Sequence, residues 1–235
     1  MNVKYLRKTP LIDYEDPSIQ RLITERGWNL LPESERVRSI YDFVRDEILF
    51  GYNIDDDIPA SRVLRDGYGQ CNTKGTLFMA FLRACGIPCR VHGFTIDKKL
   101  QKGAMTGFVY RNAPDNVFHS WVEVCVEGNW YELEGFILDK PYVRSLQSIN
   151  NNCTGVFCGY GVAVKDLQHP VIDFNLNSTY IQSEGINQDF GVYDSPDEML
   201  KDHHQELSPI KGFAYRHLGR HLMNRNVKRI RNAQV

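Results

Sequence analysis

The chain reads Gly67-Tyr68-Gly69-Gln70-Cys71-Asn72-Thr73-Lys74-Gly75 directly before a run of apolar residues at helical spacing. That run comprises Leu77, Phe78, Ala80, Phe81, Leu82 and Ala84. It stops at Gly86 and Pro88, a combination that is typical of helix C-termini. The pattern therefore predicts a buried helix that begins at or near Cys71, where free N–H groups and the helix dipole favour a thiolate over a thiol.

The residues around Cys71 distinguish a reactive thiol from an ordinary core cysteine. Buried cysteines are common in protein cores. The neighbours of Cys71 are small or polar, unlike the lining of an apolar core: Gly67, Gly69, Gln70, Asn72 and Thr73. Because small neighbours keep a thiol approachable, Cys71 is predicted to be a nucleophile.

His119 is the candidate base for this thiol. It lies in Phe118-His119-Ser120-Trp121-Val122-Glu123-Val124, which is predicted to be part of a strand. On such a strand His119 shares a face with Trp121. A neutral imidazole against apolar neighbours, with a carboxylate behind it, suits a general base near neutral pH. Within the predicted core, His92 is the competing histidine.

The orienting carboxylate is predicted from a hairpin. The strand that contains His119 is followed by a tight turn at Glu127-Gly128-Asn129 and then by a second strand. A nearly symmetric register pairs residue 134 with about residue 122 and leaves His119 close to Glu134. Glu134 is therefore the first candidate for the carboxylate, and Asp139 is the second.

The wider pattern predicts an α+β fold. Residues 16–50 are mainly helical by periodicity, and a short helix at 60–65 precedes the Cys71 helix. Strand candidates follow at 89–94, 106–110, 117–126 and 129–133. We therefore expect N-terminal helices packed on an antiparallel β-sheet. Residues 1–143 are expected to form a catalytic domain, and the role of a C-terminal extension, 144–235, is left open, with packing on the core as one option.

Composition and charge exclude several classes of protein. The chain has 235 residues, of which 42% are hydrophobic and 24% charged, and its formal net charge is −1, which is ordinary for a soluble globular protein. This charge predicts no polyanionic partner. No apolar stretch approaches the roughly 20 residues of a membrane helix. The basic residues near the start are not followed by an apolar signal core, so a cytoplasmic location is expected.

Cysteine spacing and the basic tail are assigned structural roles. Cys153 and Cys158 lack the two-residue gap of zinc knuckles, so no metal is expected.

Residues 211–235 contain seven Lys and Arg residues and no acid: Lys211, Arg216, Arg220, Arg225, Lys228, Arg229 and Arg231. An apolar stripe in this tail is expected to pack on the protein: Leu218, Leu222 and Ile230. We therefore expect neither nucleic-acid nor membrane binding. Whether the tail covers the cleft or recognises substrate is left open.

Several motifs, taken together and in this order, resemble the transglutaminase-like core. They are Asp57 to Leu64, Gly67 to Cys71, Arg83 to Arg90, His119 to Val124 and Asn129 to Glu134. The resemblance covers about residues 36 to 140. Because this superfamily combines a papain-like Cys–His–Asp triad with a helix-then-sheet core, it implies a papain-like fold. Cys71 is then the nucleophile and His119 the base, while Glu134 stands where the family has Asp and is longer by one methylene.

The resemblance implies acyl transfer on amide or peptide bonds. A Cys71 thiolate attacks the carbonyl, an amine protonated by His119 leaves, and water or a primary amine resolves the thioester. A hydrolase (protease, amidase or deamidase) that acts on a protein or peptide without a cofactor is the first expectation. The alternatives are a cross-linking protein-glutamine transamidase and a catalytically silent binding module.

The oxyanion donors and the cleft residues are less well determined by the resemblance. Animal transglutaminases use a Trp upstream of the cysteine, and this chain has no Trp between Trp28 and Cys71. The backbone N–H of Cys71 is the first expected donor, with Gln70 or Tyr68 in addition. Trp121 and Asn72 are expected to line the substrate cleft.

Overall fold

The structure is a computed structural model that describes residues 3–205 and 208–233. Its helices are α1 (Pro17–Arg26), α2 (Glu33–Asp46), α3 (Ala60–Asp66), α4 (Cys71–Ala84), α5 (Gly107–Asn112), α6 (Lys140–Ile149), α7 (Pro196–Asp202), α8 (Pro209–Ala214) and α9 (Arg220–Arg231). Its strands are β1 (Leu49–Phe50), β2 (Tyr68–Gly69), β3 (Cys89–Asp97), β4 (Asn116–Val126), β5 (Asn129–Leu133), β6 (Phe157–Gly159), β7 (Val162–Val164) and β8 (Ile186–Tyr193). The predicted α+β class is confirmed.

Helix α4 begins at Cys71, as predicted. The N-cap residue is Gln70, whose backbone N–H donates to Thr73 Oγ1 at 3.1 Å. The helix ends before Gly86, which adopts a left-handed φ of +75°. Every α4 residue from Cys71 to Arg83 is buried, because α2, α3 and strand β4 surround the helix. The N-terminus of α4 is thus fixed against the sheet.

The main sheet is antiparallel and has the strand order β5-β4-β3-β8. Strands β4 and β5 are joined through Glu127 and Gly128, which both have positive φ, as two-residue hairpin turns require. The register pairs Val122 with Leu133. Glu134 therefore follows the last residue of β5 and lies near His119 of β4, as the predicted hairpin required.

Residues 106–110 form part of a helix rather than the predicted strand. Thr106 is the N-cap of α5, and Gly107 follows it with φ +55°. A short apolar run has no periodicity that separates a strand from a helical turn. The sheet also has no place for it beside β3, because β4 and β8 pair with both edges of that strand.

Residues after 143 complete the sheet and share its core. Strand β8 pairs with β3, and Leu146, Phe174 and Met223 belong to the same buried hydrophobic cluster as Phe78 of α4. A domain boundary at residue 143 stays a prediction. The structure shows that the segment that follows it packs directly on the predicted catalytic part.

The buried face of the basic tail differs from the predicted stripe. Leu218 and Leu222 are 59% and 47% exposed. The face that packs on the protein is Gly219, Met223, Val227 and Ile230. A π-helical turn, Tyr215–Gly219, joins α8 to α9, and such a turn carries an additional residue that shifts the buried face by one position. Residues 234 and 235 of the predicted tail lie outside the described residues.

None of the helices in residues 3–205 and 208–233 is both long enough and apolar enough to span a bilayer.

Candidate active site

Three elements bring Cys71, His119 and Glu134 together. Cys71 is the first residue of α4, His119 lies in β4, and Glu134 follows β5. The Nε2–H of His119 donates to Glu134 Oε1 at 2.7 Å, and both side chains are completely buried. Cys71 is 8% exposed and lines a cleft. The arrangement places the imidazole between a sulfur and a carboxylate.

Backbone amides hold the second oxygen of Glu134. Glu134 Oε2 accepts hydrogen bonds from the N–H groups of Ile181 at 2.7 Å and Gln182 at 2.8 Å. Charge-assisted hydrogen bonds of this kind compensate the cost of burying an ionised carboxylate. Neither donor is predictable from the sequence, since a backbone amide leaves no signature in residue type.

The second ring nitrogen of His119 is left for the thiol. Nδ1 has no hydrogen-bond partner among residues 3–205 and 208–233. Burial by itself would lower the pKa of His119, but the adjacent sulfur of Cys71 and the carboxylate of Glu134 raise it to about 10. A sulfur on one side of the ring and a carboxylate on the other is the arrangement in which a base activates a thiol nucleophile.

We expect Cys71 to be alkylated by iodoacetamide at pH 6 about 100-fold faster than the other cysteines, because ordinary thiols carry little thiolate there. Burial raises the pKa of Cys85 to about 11, and it also raises those of Cys89 and Cys158. Mass-spectrometric mapping of the alkylated peptides over time measures each rate. The advantage of Cys71 is expected to shrink as the pH rises through about 8.5, where ordinary thiols ionise.

The matched control for this measurement is His119→Ala, which removes the imidazolium and is expected to abolish the difference at pH 6. Equal alkylation of all six cysteines in the unaltered protein would contradict a thiolate at Cys71 and favour a silent binding module.

The cleft beside Cys71 has a volume of about 1190 Å³. Its lining includes residues 55–57 and also Phe108 and Val109 of α5. The segment 208–223 supplies much of the rest of the lining, including Tyr215, Leu218 and Leu222. The cleft therefore combines apolar surface with an acidic loop.

Gln70 and Asn72 line this cleft. The side chain of Gln70 is engaged at both ends: Oε1 accepts from the N–H of Asn53 at 2.9 Å, and Nε2 donates to Asp56 at 2.8 Å. Asn72 Oδ1 accepts from the hydroxyl of Ser120 at 2.8 Å, which ties α4 to β4. Their proposed roles with substrate stay predictions.

Tyr68 and Trp121 lie outside the lining of the cleft. Trp121 is buried on the sheet, with its ring centroid 4.2 Å from that of Phe94 and 5.9 Å from that of Tyr180. Tyr68 belongs to the short strand β2, which pairs with β1. The placement supports neither substrate contact by Trp121 nor oxyanion binding by Tyr68.

The two competing residues have other partners. His92 contacts Glu123 at 3.0 Å and Asp189 at 2.8 Å. Asp139 accepts from Arg231 at 2.8 and 2.7 Å and caps α6 through the N–H of Tyr142. Neither residue takes the place of His119 or Glu134. In the part of the chain that the structure describes, no group of three or more His, Cys, Asp or Glu residues could hold a metal ion.

Residues 23–135 match the model of the transglutaminase-like superfamily. No curated protein sequence matches the chain. Among solved structures, the chain is similar to a candidate cysteine protease from Cytophaga hutchinsonii, with 14% identity over 83% of this chain and 48% of that one and a TM-score of 0.48.

Two further structures are similar over shorter parts of the chain. A candidate protease from Parabacteroides distasonis is 19% identical over 55% of this chain and 24% of that one, with a TM-score of 0.34. Red sea bream transglutaminase is 20% identical over 42% of this chain and 21% of that one, with a TM-score of 0.29. The chain thus spans about half of the first structure's length and about a quarter or less of the others.

Proposed function

We propose that this chain, whose residues 23–135 belong to the transglutaminase-like superfamily, is a cysteine-nucleophile acyl-transfer enzyme that acts on amide or peptide bonds. The observation that carries the proposal is the buried His119, placed between the sulfur of Cys71 and a carboxylate, Glu134, that two backbone amides fix in place. Such an arrangement activates a thiol and orients its base. A cysteine with a purely structural role in the core does not require a histidine and a fixed carboxylate beside it.

The proposed reaction begins with attack of the Cys71 thiolate on the carbonyl carbon. Collapse of the tetrahedral intermediate breaks the C–N bond, and His119 donates its Nδ1 proton to the departing amine or ammonia. His119, then neutral, removes a proton from the acceptor that attacks the thioester, and the Cys71 thiolate is regenerated. Glu134 accepts from Nε2–H throughout, which keeps the ring oriented and stabilises the imidazolium.

Hydrolysis is the first form of this proposal. Because the sulfur lines a cleft of about 1190 Å³, water can reach the thioester. Protein or peptide amides are the proposed substrates. Transamidation is the second candidate, and Asp57 in the cleft lining favours it, since a carboxylate there would attract a protonated amine acceptor. Asp55 is paired with Arg216, and Asp56 accepts from Gln70.

Incubation with a library of glutamine-containing peptides, with and without a primary alkylamine, tests the proposal. Mass spectrometry distinguishes peptide fragments (protease), glutamate in place of glutamine with release of ammonia (deamidase), and amine incorporation (cross-linker). Cys71→Ala is the control and is expected to give none of these products. The proposal would be contradicted if the unaltered protein gave none of the three products. In that case alkylation of Cys71 by iodoacetamide in the same preparation has to show that the thiol is accessible.

A further inference from the structure

The tetrahedral intermediate of the proposed reaction carries a negative oxygen close to Cys71. The N–H of Cys71, at the first position of α4, has no carbonyl partner within the helix and can donate to this oxygen. A second donor has to lie in the cleft wall. Gln70 lies there, but both ends of its side chain are engaged by Asn53 and Asp56, and Tyr68 is outside the cleft.

Tyr52 is a polar residue of the cleft wall for which the mechanism has no other role. It is 5% exposed, and its hydroxyl donates to Gln101 Oε1 at 2.8 Å. Gln101 is also buried and lines the same cleft. Burial raises the pKa of Tyr52 well above its usual value, and a negative charge on Cys71 acts in the same direction. The phenol therefore keeps its proton beside the thiolate and remains a hydrogen-bond donor.

The backbone of Tyr52 is held by a residue that lies far from it in sequence, Asn224. Its N–H donates to Asn224 Oδ1 at 2.7 Å, and its carbonyl accepts from Asn224 Nδ2 at 3.0 Å. Asn224 belongs to α9, in the segment after residue 143. The Tyr52 ring also packs on Phe50, with 5.4 Å between ring centroids. A hydrogen-bond donor that is already held in position stabilises a developing negative charge well, because little of the protein has to rearrange as the charge forms.

We propose that the Tyr52 hydroxyl donates the second hydrogen bond to the oxyanion formed at Cys71, with Gln101 as its positioning residue. This inference rests on the proposed function. As the oxyanion forms, the phenol turns its proton from Gln101 to the substrate oxygen, and rotation of the Gln101 amide lets Nε2 donate to the phenol oxygen. The resulting chain of hydrogen bonds strengthens the donor, and no proton is transferred.

Tyr52→Phe is expected to separate two reactions of the same sulfur. Acylation of Cys71 by p-nitrophenyl acetate passes through an oxyanion, and its rate is expected to fall about 100-fold, the loss typical of one oxyanion donor. Alkylation by iodoacetamide forms no oxyanion, and its rate is expected to change less than about threefold because the Cys71–His119 pair is retained. Both rates are measured on Cys71 by mass spectrometry in single turnover.

The matched control is Tyr142→Phe. Tyr142 is completely buried, and its hydroxyl donates to the carbonyl of Tyr160 at 2.8 Å, outside the cleft. Its loss is expected to change neither rate, and thermal unfolding of both variants checks that they fold. If Tyr52→Phe does not fold, Gln101→Met serves instead and is expected to lower the ratio of acylation to alkylation, because the phenol loses its orienting partner.

Two results would overturn the assignment of Tyr52: an equal loss in both reactions, which would make the residue a support of the thiolate, or a loss in neither. Either result leaves the proposed function intact. The proposed function itself fails if Cys71 of the unaltered protein reacts with both reagents no faster than the other cysteines, and the Tyr52 assignment then fails with it.

Discussion

Replacement of Cys71 by alanine is expected to lower the acyl-transfer rate constant about 10⁶-fold, as does loss of the nucleophile in enzymes of this type. His119→Ala is expected to cost nearly as much, because the thiolate loses the imidazolium that stabilises it and the leaving amine loses its proton donor. The variant with both substitutions is expected to be no slower than either alone, since the two side chains act as one unit. Steady-state kcat on the peptide that the library identifies measures each loss.

Additive losses in the variant with both substitutions would contradict this account, because they would mean that sulfur and imidazole contribute independently. Cys125→Ala is a matched control, since this cysteine lies in the same sheet, in β4, and outside the lining of the cleft. Its activity is expected to stay within about twofold of that of the unaltered protein, as for substitutions away from a site.

Glu134→Gln is expected to lower kcat about 10⁴-fold, the loss seen when the carboxylate of such a triad becomes an amide. The reason lies in the hydrogen bonds of this carboxylate. Oε2 accepts from the N–H groups of Ile181 and Gln182, so the amide nitrogen of glutamine cannot occupy that position without opposing two donors. It must then face His119 and donate to Nε2. The ring is left with its proton on Nδ1 and cannot remove one from the acceptor.

Glu132→Gln provides the control for this substitution. Glu132 is a carboxylate of β5, two residues before Glu134, and accepts from the hydroxyl of Tyr180 instead of from the His119 ring. Its change to glutamine is expected to alter kcat less than about threefold. Activity of Glu134→Gln within about tenfold of that of the unaltered protein would contradict the proposal that the Glu134 carboxylate orients the His119 ring.

The length of the residue at position 134 can be tested in the same assay. Glu134 reaches both His119 and the two amides, and aspartate, shorter by one methylene, would leave one side without its hydrogen bonds. The longer arm, which departs from the family's Asp, therefore fits the distance that this chain has to span.

Residues close in sequence allowed the part of the site around α4 and the β4–β5 hairpin to be predicted. The polar residues before an apolar helical run, with a Gly/Pro stop, predicted a helix that starts at Cys71, and the structure has it there. A tight turn at 127–129 predicted a register that carries Glu134 back toward His119, and the observed pairing of Val122 with Leu133 agrees with it. These predictions succeeded because helix periodicity, end signals and tight turns act over a few residues.

The prediction failed where the decisive partner was distant in the chain. The strand proposed at 106–110 became helix α5, because the sheet edge it needed is occupied by β8, which lies about 80 residues further on. The apolar stripe of the tail was displaced by a π-helical turn, which hydropathy alone does not reveal. In each case the local pattern was compatible with more than one structure, and packing selected one.

The sequence alone determined the α+β class, the position of Cys71 at a helix N-terminus and the adjacency of His119 and Glu134, because these depend on periodicity and turn chemistry within short segments. Tertiary structure alone decided which groups hold them: the amides of residues 181 and 182 on the carboxylate, and Asn224 and Gln101 around Tyr52. The physical reason is that a backbone N–H is the same in nearly every residue. Only the folded chain shows which of these identical donors meets a buried charge.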